Sequence, residues 1–92
     1  MEKLVDVVAV EVLGDYQLRL TFEDGVVGDV SFAGREWRGV FEPFTDPAVF
    51  AQVFVDAELG TIAWPGGQDM APEPLYEAAR AHRAPDHRAP AA

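Results

Sequence analysis

Gly60-Thr61-Ile62-Ala63-Trp64-Pro65-Gly66-Gly67-Gln68-Asp69-Met70-Ala71-Pro72-Glu73-Pro74-Leu75-Tyr76 is where the chain turns from sheet to helix. Thr61 to Trp64 has the β-branched and aromatic content of a strand. Pro65 ends it, because proline cannot donate a ladder hydrogen bond. Gly66-Gly67 permits positive φ, so the chain can reverse there. Pro72 and Pro74 pre-set φ near the helical value, and Leu75 to Arg80 reads as helix.

The segment before this stretch is β-rich. Leu4 to Leu13 predicts a strand with Val8, Val10 and Val12 on one face and Val5, Val7 and Ala9 on the other, covered on both sides for much of its length. Tyr16, Leu18, Leu20 and Phe22 alternate with Gln17, Arg19, Thr21 and Glu23, which predicts a half-buried strand. Asp24-Gly25 then closes a hairpin. A two-residue loop would set Leu20 opposite Asp29. A three-residue loop, Glu23-Asp24-Gly25, pairs Leu20 with Gly28 and Leu18 with Val30 on one apolar face, with Gly25 left-handed. The same logic at Leu13-Gly14-Asp15 pairs Val12 with Tyr16 and Val10 with Leu18. The expectation is a three-stranded antiparallel meander.

The middle of the chain is irregular. Gly39 is expected to stop any short helix, and Val40, Phe41 and Phe44 to anchor the segment on the core. Asp46 caps a short helix near residues 47–52, with Pro47 first and Val49, Phe50 and Val53 on its buried side. Phe54-Val55 and Thr61 to Trp64 read as a later hairpin. The fold class is therefore α+β: an antiparallel sheet of about five strands, meander plus hairpin, with a short helix and a C-terminal helix near 74–82 on one face. Residues 1–82 make one domain. Residues 83–92 hold small residues, two prolines and no large apolar group, and are expected to be a disordered tail.

Ninety-two residues without cysteine leave no room for disulfides, thiolate metal sites or a cysteine nucleophile. The formal charge is −9. Residues 80–92 carry +2, which places −11 on residues 1–79. Such a body repels nucleic-acid phosphates and anionic membrane surfaces, and it suits either plain solubility or a basic protein partner. Leu4 to Leu13 is interrupted by Asp6 and Glu11 and is too short for a membrane span, so a cytoplasmic location is expected. An exposed sheet edge would permit a homodimer.

Catalytic chemistry finds few residues. Ser31 is the sole serine, Lys3 the sole lysine, and His82 and His87 lie at the end of the helix and in the tail. No catalytic residue, metal or cofactor is expected. Asp56 with Glu58, and Asp69 with Glu73, have turn and helix-cap roles that compete with metal binding or paired-carboxylate chemistry. Gly66-Gly67 resembles an anion loop, but Asp69, Glu73 and Glu77 would repel phosphate. Trp64 and Tyr76 have a core role between strand and helix, with polar tips reaching the surface, and a competing role as interface anchors. The candidate interaction or ligand surface is Trp64, Gly66, Gly67, Asp69 and Tyr76.

At Asp24-Gly25, Gly39-Val40-Phe41, Asp46-Pro47 and above all Thr61 to Asp69, the chain resembles the bacterial domain of unknown function 2442 family over about residues 3–80. The Trp-Pro-x-Gly-x-Asp core and the following Pro-x-x-Leu-Tyr-Glu carry the likeness. The resemblance implies a small α+β domain and a place in two-gene modules resembling toxin–antitoxin pairs. It implies no catalytic residues. Similar proteins have Asp-Leu-Asp-Pro at the helix start. Here Ala71 replaces the second acid and cannot cap the helix, a loss of about 1 kcal/mol. The expected function is a non-catalytic interaction or regulatory module, the acidic partner of such a pair. The alternative is a small-ligand binder or an enzyme using the Trp64, Asp69 and Tyr76 region.

Overall fold

Apolar alternation builds the meander. A computed structural model describes residues 5–83. Strands β1 (Val7–Gly14), β2 (Gln17–Phe22) and β3 (Val27–Ser31) form an antiparallel sheet in the order β1-β2-β3. The second hairpin has the expected register, with Leu20 opposite Gly28 and Leu18 opposite Val30. The Phe22 N–H donates to the Val26 carbonyl at 2.9 Å, and Gly25 takes φ 93°. Leu18, Leu20, Phe22, Val26 and Val30 are all buried.

The first hairpin departs from expectation. Val12 pairs with Leu18 and Val10 with Leu20, so its tip is Asp15-Tyr16 rather than Leu13-Gly14-Asp15. Tyr16 leaves the strand and adopts φ 62°. A non-glycine residue there costs about 1–2 kcal/mol. Tertiary contacts offset it. The Tyr16 hydroxyl lies 2.6 Å from the Phe44 carbonyl and 2.8 Å from that of Thr45, and its ring sits 5.2 Å from the Phe50 ring.

β1 is also not covered on both sides. A register irregularity between Val7 and Ala9 switches its faces. Val7 is buried opposite Phe22, whereas Val8, Val12 and Leu13 are exposed on what is an edge strand.

Strands β4 (Phe54–Asp56) and β5 (Thr61–Ala63) pair as the expected hairpin, but in a sheet of their own rather than one five-stranded sheet. The Asp56 carboxylate accepts from the N–H groups of Glu58 and Leu59 at 2.9 and 3.1 Å, fixing the turn. The hairpin meets the meander where the Val7 N–H donates to the Gly60 carbonyl at 3.0 Å. A Cβ at Gly60 would stand 2.6 Å from the Asp6 carboxylate, which keeps this junction small.

Between the sheets, Gly39 does not stop a helix. It begins a 3₁₀ helix over Gly39–Thr45 that buries Phe44, while Val40 is 70% exposed rather than anchored. Helix α1 (Pro47–Phe50) follows, with the Asp46 side chain accepting from the Ala48 N–H at 2.9 Å as expected. Phe50 is fully buried and Val49 and Val53 are half-buried.

Helix α2 (Pro72–Ala81) starts two residues before the expected boundary and packs on β3, burying Leu75 and Ala79. Every described peptide bond is trans, including those at Pro43, Pro65 and Pro72. No described helix is long and apolar enough to cross a membrane. The expected tail falls almost wholly outside the described residues.

Candidate functional site

The strand-to-helix stretch delivers its two large aromatics to different places. Trp64 is 2% exposed, and its indole N–H donates to the Phe50 carbonyl at 2.8 Å. Its polar tip therefore points into the core, not to the surface. Its ring lies 4.5 Å from that of Phe44 and 5.7 Å from that of Phe50. Tyr76, on α2, is half-buried with its ring 5.0 Å from Phe22, edge to face. Its hydroxyl donates to the Asp24 carboxylate at 2.5 Å. The two rings thus pack on different neighbours of one core.

The Asp24–Tyr76 contact is electrostatically distinctive. The Tyr76 hydroxyl, followed by the Val26 N–H, holds the Asp24 carboxyl below its usual pKa. The same bond, followed by burial, pushes the Tyr76 phenol up. This carboxylate ties the β2–β3 turn to α2.

Gly66, Gly67 and Asp69 are at the surface. The Gly67 N–H donates to the Trp64 carbonyl and the Trp64 N–H to the Gln68 carbonyl, both at 2.9 Å, with Gly67 at φ 95°. The Gln68 side-chain amide donates to the Val40 carbonyl at 3.0 Å, joining this turn to the 3₁₀ helix. Gly66 makes room for that amide, since a Cβ there would stand 2.7 Å from Gln68 Oε1. Together with Val40 and Phe41, residues 66–69 line a surface hollow of about 460 Å³.

Phe41 also lines two adjoining hollows. One, of about 310 Å³, lies toward Trp37 and Arg38. The other, of about 300 Å³, lies toward Phe32, Met70 and the first turn of α2. Arg35 borders both, its guanidinium 4.8 Å from the Phe32 ring centroid and 6.0 Å from that of Trp37. The sequence reading missed Arg35, Trp37 and Met70 as surface-forming residues. The signal available was the interleaving of arginine with aromatics over residues 35–41.

Asp69 does not cap α2. The N-cap is Ala71, with no side-chain bond, as the alanine there requires. Pro72 and Pro74 have no N–H, so two of the four amides that a helix start leaves unpaired do not exist. The Asp69 carboxylate is exposed and engages no hydrogen bond or ion pair with another described residue. Ser31 is exposed, and its hydroxyl accepts from the Ala33 N–H at 3.3 Å. His87 lies outside the described residues. Among the described residues no cluster of three or more His, Asp or Glu could hold a metal ion.

A meander, a short hairpin and a helix docked on the third strand define a small α+β domain. The family model described as "Protein of unknown function (DUF2442)" matches residues 7–81, and the chain belongs to that family. No curated protein and no solved structure matches it.

Proposed function

We propose that the protein is a non-catalytic interaction or regulatory module that receives a basic protein partner in the cytoplasm, as the acidic member of a toxin–antitoxin-like pair. The observation that carries this reading is the continuous surface tract around Phe41, with Val40 70% exposed beside it and Arg35, Trp37 and Met70 along it. Aromatic residues, methionine and arginine are the types enriched where protein interfaces are buried. The charge of −9 favours encounter with a basic partner and makes that encounter salt-sensitive. Of the residues singled out from the sequence, Gly66, Gly67 and Asp69 belong to this tract. Trp64 supports it from beneath, through Phe44 and Phe50.

The test is affinity capture from source-cell lysate at low and high salt, followed by reconstitution with the purified captured protein. Val40→Asp is the informative variant, because an exposed side chain can change charge without disturbing the core. A basic protein bound by the wild type at low salt, and lost with Val40→Asp, is the expected result. Equal capture by both forms, or capture of nothing, overturns the reading.

A further inference from the structure

We propose that the hollow between Arg35 and Asp69 binds a free α-amino acid with a large apolar side chain. This hollow, of about 300 Å³, lies on the α2 side of Phe41 and shares Arg35, Phe41, Asp69 and Met70 with the interaction tract but not Val40, so Val40→Asp tests that surface while leaving this hollow's lining intact. Its volume is at the lower end of small-molecule sites and suits a single side chain. Its lining is mostly apolar, from Phe32, Phe41, Met70 and Leu75.

Two charges border it, Arg35 and Asp69. Neither forms an ion pair with any described residue, including each other. Arg35 is steadied over the Phe32 ring at 4.8 Å, which limits the ordering needed to meet a ligand. A guanidinium presents a fork that matches a carboxylate in bidentate fashion. A free carboxylate accepts from an ammonium. One positive and one negative group above an apolar floor complement a zwitterion carrying an apolar side chain. The wall also explains what is rejected. Asp69 disfavours phosphate and dicarboxylate ligands. The α2 N-cap position is Ala71, with no side-chain bond, so the Asp69 carboxylate has no capping role.

The test is a titration of the full chain, followed by amide chemical shifts, with L-phenylalanine and L-leucine as probes. Saturable shifts confined to residues around Arg35, Phe41 and Asp69–Leu75 are expected. N-acetyl-phenylalanine and phenylalanine amide, each lacking one charge, should bind about tenfold more weakly or worse. Arg35→Gln should weaken phenylalanine binding about tenfold yet leave phenylalanine amide unaffected. Asp69→Asn should do the same with respect to N-acetyl-phenylalanine. Both side chains are exposed, so the variants should fold, and the spectra report that directly. Absence of saturable shifts at millimolar amino acid overturns the proposal. So does equal binding of the free and blocked forms, which would mark an unspecific apolar trap.

Discussion

Gly28 of β3 lies directly beneath Ala79 of α2: a Cβ at Gly28 would stand 2.6 Å from the Ala79 Cα. The helix end is then stitched to the same strand, with the Asp29 N–H donating to the His82 carbonyl at 2.9 Å and Gly28 bridging to Arg83. Gly28→Ala is therefore expected to push α2 off β3 and to cost about 1–3 kcal/mol, the range for overpacking. Gly14 is the control, because nothing lies within 4 Å of a Cβ placed there. Gly14→Ala should shift stability by less than about 0.5 kcal/mol. Equilibrium urea unfolding of both variants checks the contrast.

Trp64→Phe removes the donor that satisfies the Phe50 carbonyl inside the core. A buried acceptor left unpaired costs about 1–3 kcal/mol, and the space vacated by the indole adds to that. The expected loss is about 3 kcal/mol. Urea unfolding measures it. A loss below about 1 kcal/mol would mean that the carbonyl finds another donor.

The Asp24–Tyr76 bond predicts a pH signature. The Asp24 carboxyl has a folded pKa below its unfolded value, so its stabilisation is complete above about pH 4 and lost as pH falls through the folded value. Tyr76 has a folded pKa above its unfolded value. Its contribution is complete below about pH 10 and lost as pH rises through the folded value. Tyr76→Phe should flatten both limbs of the stability profile. Tyr16, whose phenol is raised first by burial and then by Asp46 and Asp15, leaves part of the alkaline limb in place. Thermal unfolding across pH 2–11 reads the difference, and an unchanged acid limb would count against this bond.

Tyr16 sits where glycine is usually favoured, at φ 62°. Tyr16→Gly relieves the backbone but removes the hydroxyl link to the 3₁₀ helix and the ring packing on Phe50 and Trp37. The packing is the larger quantity, so Tyr16→Gly is expected to destabilise by about 2 kcal/mol or more. Tyr16→Phe keeps the ring and should cost about 1 kcal/mol. Urea midpoints of the two variants test the order.

Ala71→Asp restores a side chain able to cap α2. With Pro72 and Pro74 lacking N–H groups, the Glu73 N–H is the main amide left for it to satisfy. The gain should therefore fall below the roughly 1 kcal/mol of an ordinary N-cap. Thermal unfolding distinguishes a small gain from a full one.

Much of the fold was legible because it rests on local rules. Period-two alternation fixed the β2–β3 register, and Asp46-Pro47 fixed the start of α1. Asp56 and the Gly66-Gly67 pair marked their turns. The first hairpin misled because Tyr16 has the character of a strand residue and its true partners, Phe44 and Phe50, are about thirty residues away. β1 misled because a single irregularity after Val7 reverses the phase that alternation assumes. In the candidate site, Gly66, Gly67 and Asp69 were found from the sequence. Arg35, Trp37 and Met70 were not, since no periodicity links residue 35 to residue 70.

By itself, then, the sequence determined which segments are the strands and the two α-helices, though not the 3₁₀ helix over Gly39–Thr45, along with the acidic balance of the chain and the family to which it belongs. Those properties follow from side-chain spacing, turn chemistry and charge, all of which act between near neighbours. Tertiary structure alone decided that Trp64 is a core residue, that the hairpin forms a separate sheet, and that Arg35 and Asp69 border the same apolar hollow. These outcomes depend on which distant surfaces meet, and packing, unlike turn geometry, is settled only when the whole chain has closed on itself.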